Sequence, residues 1–245
     1  MKFLAIFIII IVAVVVLGIL GWSRVPDMLA NNLSKKLGVP VSIESMDIAP
    51  SRIDVNQLEI GNARGYSLPK AFSSKEIEFK APLTEYFRDS ITVDEIEVDD
   101  IYLGLEFDTI TGAEGNWTKI LRTYQKNATV QDSGKNTKIL IKKLILNNIQ
   151  TDLLFKAGDG KIQRLPKIDQ IVLTNISTEG GFPTDQLMST ILGQMIKEVF
   201  IRQNMSGKLK GLLDTPGKAV DKALQPFKGL FNAVPREEIQ HKKTA

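Results

Sequence analysis

The sequence predicts a mainly β fold with flanking α-helices: an N-terminal transmembrane helix, then a twisted antiparallel β-groove accompanied by amphipathic helices. Three observations carry this expectation. Residues 3–22 form an apolar block without a single charge. From Val39 onward apolar and polar residues alternate with period two, as in strands that have one covered face and one wet face. A strand–kink–strand phrase then recurs along the chain.

Phe3 to Trp22 is twenty residues, fifteen of them Leu, Ile, Val or Phe. As a helix it spans roughly 30 Å, the thickness of a bilayer's hydrocarbon core. On an insertion scale those fifteen sum to roughly −5 to −9 kcal/mol. Gly21-Trp22-Ser23 offers a small-x-small cleavage site, but the run exceeds the apolar core of ordinary signal peptides, which favours an uncleaved signal-anchor over residues 1–24. Lys2 lies before the run and Arg24, Lys35 and Lys36 after it. This charge distribution gives little help with the orientation and leans slightly against export of the body.

Val25-Pro26-Asp27 changes the texture. Met28, Leu29, Leu33 and Leu37 fall at helical spacing until Gly38-Val39-Pro40 stops the pattern. Strands follow around Val41–Ile43, Ile77–Phe79 and Ile101–Phe107. Pro82–Arg88 and Trp117–Lys126 read as short helices, Gln125–Thr137 as a loop, and Gly158-Asp159-Gly160 as a turn between strands near 153–156 and 161–164. After Gly180-Gly181-Phe182-Pro183, an apolar stripe of Leu187, Ile191, Met195, Ile196 and Val199 marks another helix, with Thr184-Asp185 at its N-cap. The expected domains are residues 1–24, the anchor; 25–179, the β-groove; 180–232, an amphipathic helical segment; and 233–245, a disordered tail.

The repeated phrase is an apolar-x-apolar core followed by turn-prone polar residues. It occurs at Leu58–Asn62, Ile96–Ile101, Leu144–Ile149 and Ile171–Ile176. DEIEVDDIYLGLEF at 94–107 also aligns with KKLILNNIQTDLLF at 142–155. Paired Asp or Asn suits a kink, because the side chain bonds the local backbone and tolerates left-handed dihedrals. A long meandering sheet, extended unit by unit, is expected.

Composition excludes much chemistry. No cysteine means no disulfide framework, thiol nucleophile or cysteine-held metal. One histidine, His241, removes His-based triads and multi-His sites. There is no nucleophile elbow, phosphate-binding glycine loop or calcium loop. The dense carboxylates Asp94, Glu95, Glu97, Asp99 and Asp100 are expected to form the solvated face of a strand. Residues 39–115 hold 6 Lys+Arg against 16 Asp+Glu, a net of −10, whereas residues 196–245 hold 10 against 5, a net of +5. An acidic sheet is unsuited to nucleic acid. The basic tail suits a membrane surface, an acidic partner or the chain's own sheet. No enzyme activity and no cofactor are expected. An aliphatic concave face beside a membrane anchor would make a trough into which acyl chains partition at about 0.8 kcal/mol per buried CH2.

Several phrases together resemble the N-terminal part of the bacterial AsmA-like family. After the membrane helix comes Leu37-Gly38-Val39-Pro40-Val41, then the Pro82-Leu83 turn. The alternating run Ile91 to Leu105 follows, and then Gly112-Ala113-Glu114-Gly115-Asn116-Trp117. The resemblance covers roughly residues 1–125 and rests on ordered spacing. It implies a chorein-like repeating β-groove that holds lipid, a single-pass anchor in the bacterial inner membrane, and a body in the periplasm. It also implies a part in phospholipid transport and outer-membrane assembly, and it brings no catalytic residues. A chain this short holds one or two groove units, so self-association or a larger envelope protein is expected as partner. The expected lipid-lining residues are Val41, Ile43, Ile77, Phe79, Ile96, Val98, Leu103, Leu105, Leu144 and Leu146. The alternative is a scaffold whose apolar face is covered by the helices of 184–231 and which binds proteins, not lipid.

Overall fold

The computed structural model describes residues 24–109, 114–128, 138–177 and 187–203. The expected anchor, the N-cap at Thr184-Asp185, the basic tail beyond Gln203 and His241 lie outside them. Among the described residues no helix is long and apolar enough to cross a membrane. The elements are α1 (Val25–Leu37), β1 (Val41–Ser42), β2 (Ser45–Ala49), β3 (Arg52–Gly61), β4 (Lys70–Lys80), a 3-10 turn (Leu83–Phe87), β5 (Ser90–Asp99), β6 (Tyr102–Phe107), α2 (Asn116–Ala128), β7 (Lys138–Phe155), β8 (Gln163–Arg164), β9 (Ile168–Ser177) and α3 (Leu187–Arg202).

α1 forms where the helical spacing predicts it. Pro26 opens the first turn, Asp27 lies at the positive end, and Lys35 and Lys36 lie at the negative end. Leu29 and Leu33 are fully buried, each worth about 1.5–3 kcal/mol against exposure. Gly38 ends the helix at φ 68°, and its N–H donates to Ser34 O at 2.8 Å. A Cβ there would stand 2.5 Å from the Thr123 methyl of α2, so the glycine is needed for packing as well as for dihedral. Asn127 at the far end of α2 donates to Lys35 O and Lys36 O, closing the carbonyl end of α1.

The sheet runs β1/β2–β3–β4–β5/β6–β7–β9, with β8 on the lower half of β7. It is not wholly antiparallel. β5 and β6 follow one another in line, and both pair with β7 in parallel, from Ser90↔Lys138 to Phe107↔Phe155. The reason is α2: a helix between β6 and β7 returns the chain to the starting end, as a parallel pair requires. α2 also begins at Asn116 and continues to Ala128, so part of the expected loop at 125–137 is helical.

Every partnered residue in that pair differs by 48 in number, the same offset that aligns 94–107 with 142–155 in the sequence. The repeat is therefore laid side by side, copy against copy. Its kinks coincide: Asp100 (φ 51°) and Asn148 (φ 54°) are both left-handed, and Asn148 Nδ2 donates to Asp100 Oδ1 at 3.1 Å. Gln57 in β3 (φ 52°) joins the same crease, opposite Lys75 between the pairs Asn56↔Glu76 and Leu58↔Ser74. This corrects the phase of the first copy, which is Ile53–Ile60 with its kink at Asn56-Gln57, not Leu58–Asn62. A second crease runs through Asp94-Glu95, Lys142-Lys143 and Thr174-Asn175, where Asn175 is again left-handed (φ 54°). At each crease two successive polar residues separate the buried ones, so the apolar residues return to the same face beyond it.

Candidate functional site

The broadest chemically uniform surface in the fold is the apolar face of this sheet. Between the two creases it consists of two cross-strand rows. One is Ile53–Phe79–Ile96–Leu144–Leu173 and the other Val55–Ile77–Val98–Leu146–Ile171. Each crosses five strands, about 19 Å at the usual strand spacing. Six of the expected lining residues (Ile77, Phe79, Ile96, Val98, Leu144 and Leu146) stand in these rows. Leu103 and Leu105 continue the face beyond the lower crease, opposite Phe72 and Leu153 respectively. Val41 and Ile43 join it at the short edge by β1. The ten positions thus belong to one surface.

That surface is covered. Nine of the ten are buried, Val41 is half-buried, and all ten belong to one apolar core together with Leu29 and Leu33 of α1, Ile120 and Tyr124 of α2, and Val199 and Phe200 of α3. Phe200 sets its ring edge against Phe107 at 6.5 Å, and Phe107 stacks on Phe155 at 5.4 Å. Beyond the lower crease the face is no longer purely apolar: Ser74 and Thr151 are buried with hydroxyls that have no partner. A cavity of about 330 Å3 opens at the crease itself, but it is polar, with Glu44, Gln57, Lys75 and Asp100 among its walls.

The opposite face carries the charge. Lys80 Nζ reaches Glu95 at 2.8 Å, Glu78 at 3.0 Å and Glu97 at 3.2 Å, and Lys143 reaches Glu95 at 2.9 Å. Asp94 pairs with Lys142, Asp99 with Asn147, and Asp100 with Asn148. Each carboxylate of the dense cluster thus has a cross-strand partner. The hydrogen bond from Lys80, and then that from Lys143, holds the Glu95 carboxyl below the usual range. Its pairing therefore stabilises the fold above the ordinary glutamate pKa, and the contribution is lost as pH falls through the lowered value. Asp54 behaves oppositely. Burial raises it, neighbouring Arg52 only partly offsets this, and Glu78 and Asp47 raise it further. The stability it gains by protonation is complete below the ordinary aspartate pKa and is lost as pH rises through the raised one. Among the described residues no group of three or more His, Cys, Asp or Glu is placed to hold a metal.

One polar cluster was not singled out by sequence reasoning as an anchor. Glu106 is fully buried and accepts from the N–H groups of Ser67 (2.7 Å) and Leu68 (2.8 Å), pinning the β3–β4 loop over the end of the sheet. Asn116 accepts from Glu106 N–H and donates to Gly104 O, while Trp117 Nε1 also donates to Gly104 O at 3.0 Å. The Gly-Asn-Trp phrase is thus a clasp closing the edge of β6, and Gly115 is required because a Cβ there would stand 2.5 Å from Glu106 O. In the sequence Glu106 alternates with Leu105 and Phe107 as an ordinary solvent-facing strand residue would, so nothing there marks it as buried.

The other phrases behind the resemblance are joints as well. Pro40 O accepts from Gly61 N–H, and Leu83 N–H donates to Pro50 O across the turn that follows β4. A family model described as the AsmA family matches residues 1–165. No curated protein and no solved structure matches the chain. With α1, the creased strands β3 to β7 and the clasp inside a match that spans most of its length, the chain belongs to the AsmA family.

Proposed function

We propose that this protein is anchored in the bacterial inner membrane by residues 1–24 with its body in the periplasm, and that it carries phospholipid acyl chains on the apolar face of its creased sheet in support of envelope assembly. Membership in the AsmA family associates the chain with the envelope and with assembly or a lipid-related role. The observation that carries the finer reading is the pair of uninterrupted apolar rows crossing five strands between the creases. In this reading the helices are the cover of the unloaded state. Exchanging apolar side chains for acyl chains against the same rows leaves the buried apolar area nearly constant, so the exchange has no large hydrophobic penalty. α3 is the natural part to move: it packs on the terminal strand β9 and sets Phe200 against Phe107.

The test is to purify the full chain from membranes, exchange it through a lipid-free detergent, and extract and weigh the bound lipid by mass spectrometry. About one phospholipid per chain is expected, with more retained when Phe200→Ala weakens the cover. Recovery no greater than from a mock preparation, for both forms, overturns the reading. The burial of nine of the ten face residues by the chain itself favours a second reading, a non-enzymatic scaffold that binds envelope proteins. A photo-reactive residue at Leu146 that captures only protein in cells would select it.

A further inference from the structure

β9 is a terminal strand of the sheet. From Ile168 to Ile176 it pairs with β7 on one side, and among the described residues no strand lies on the other. Terminal strands are ordinarily blunted by charge, proline or brevity. Over these residues β9 carries a single ionisable group, Asp169, no lysine and no proline. The opposite margin differs. It is made of β1, two residues long, and β2, five residues long, and α1 packs against both.

One of the five large apolar side chains exposed among the described residues, Val172 (44%), lies on β9 itself. α3 packs on β9, and its end is tied beside it by Gln203 Nε2 donating to Pro166 O at 2.8 Å.

We infer that β9 is the pairing edge of a two-fold dimer, with the strand of a second copy of this chain as its occupant. The opposite margin is too short and too covered to receive β9, so a head-to-tail array is not available. Pairing is then between like edges, which closes at two copies. Antiparallel pairing about a two-fold perpendicular to the sheet satisfies the open backbone groups of both strands. A nearly uncharged edge does not repel its own copy. Such an axis also keeps both apolar faces on the same side, so the five-strand rows become ten-strand rows of about 43 Å. The pairing itself does not depend on the acyl-chain reading.

The chain has no cysteine, so single cysteines report cleanly. Gln170→Cys, Val172→Cys and Thr174→Cys in the full-length protein in detergent are treated with a short thiol cross-linker, with Glu44→Cys at the opposite margin as control. Dimers from the β9 positions and monomer from the control are expected. Val172→Lys, a change at an exposed site, is expected to weaken dimerisation at least tenfold by light scattering. Monomer at every β9 position, or a dimer indifferent to Val172→Lys, overturns the inference. Lipid extracted from the same samples separates the two proposals: a lipid-loaded monomer defeats this one alone, and a lipid-free dimer defeats only the other.

Discussion

The kink residues show how much a single dihedral decides. Asp100 and Asn148 sit side by side in left-handed backbone, where most side chains meet their own carbonyl and cost roughly 1–2 kcal/mol. Asn and Asp bear this better because their side chains bond locally, and here Asn148 bonds Asp100 across the pair. Asn148→Gly should therefore be nearly neutral, since glycine gains in dihedral what it loses in the hydrogen bond. Asn148→Ala should lose about 1 kcal/mol or more, because it keeps the strain and gives up the bond. Urea unfolding of both variants checks this. Equal stability for the two would mean that the crease is imposed by neighbouring strands and not by residue 148. Gln57 already points that way in part, as it holds the same conformation without the local bonding of Asn or Asp.

At the scale of elements, α2 does three tasks. It returns the chain for the parallel pair, it closes the end of α1 through Asn127, and its first residues clasp β6. The clasp is the most concentrated of these, since the Asn116 side chain satisfies both Glu106 N–H and Gly104 O, in a place where water does not reach. Asn116→Ala leaves Glu106 N–H without its acceptor and Gly104 O with the Trp117 indole alone, and should cost about 1–3 kcal/mol, the usual penalty for a buried unpaired polar group. Asn116→Asp restores the acceptor but not the donor and should recover part of the loss. Thermal unfolding of the two variants reads the difference. A loss below about 1 kcal/mol for the alanine variant would show that the bond to Glu106 N–H is not what holds the clasp, and that Trp117 Nε1 on Gly104 O holds it instead. The helix was legible in the sequence from its apolar spacing. The clasp was not, because an Asn before a Trp has no partner until Gly104 and Glu106 are brought beside it.

For the whole molecule, what the sequence reveals depends on how local the cause is. The period-two face, the stop at Gly38 and the paired polar residues at Asp99-Asp100 and Asn147-Asn148 are each written within a few residues, and each was read. Strand direction is not local. The fourteen-residue match between 94–107 and 142–155 is equally compatible with successive hairpins, and only the crossover through α2 makes the copies parallel. Nor does a row of apolar residues say whether lipid or the chain's own helices will cover it, since both are apolar surfaces of similar worth. The parallel register is nonetheless a sharp claim. Thr92 and Leu140 are direct partners, 48 apart, and both are half-buried. A hairpin arrangement would pair the same strands in opposite senses, with sums of residue numbers constant instead of differences. In the cysteine-free chain, Thr92→Cys with Leu140→Cys should close a disulfide under mild oxidation, because adjacent strands bring paired Cα atoms within the usual range for such a bond. Thr92→Cys with Lys142→Cys should not. Two residues further along the same face of β7, the Cα atoms stand about 8 Å apart, beyond that range. A bond that forms equally well from both positions, or from neither, would remove the parallel pair, and with it the copy-against-copy stacking on which the two apolar rows depend.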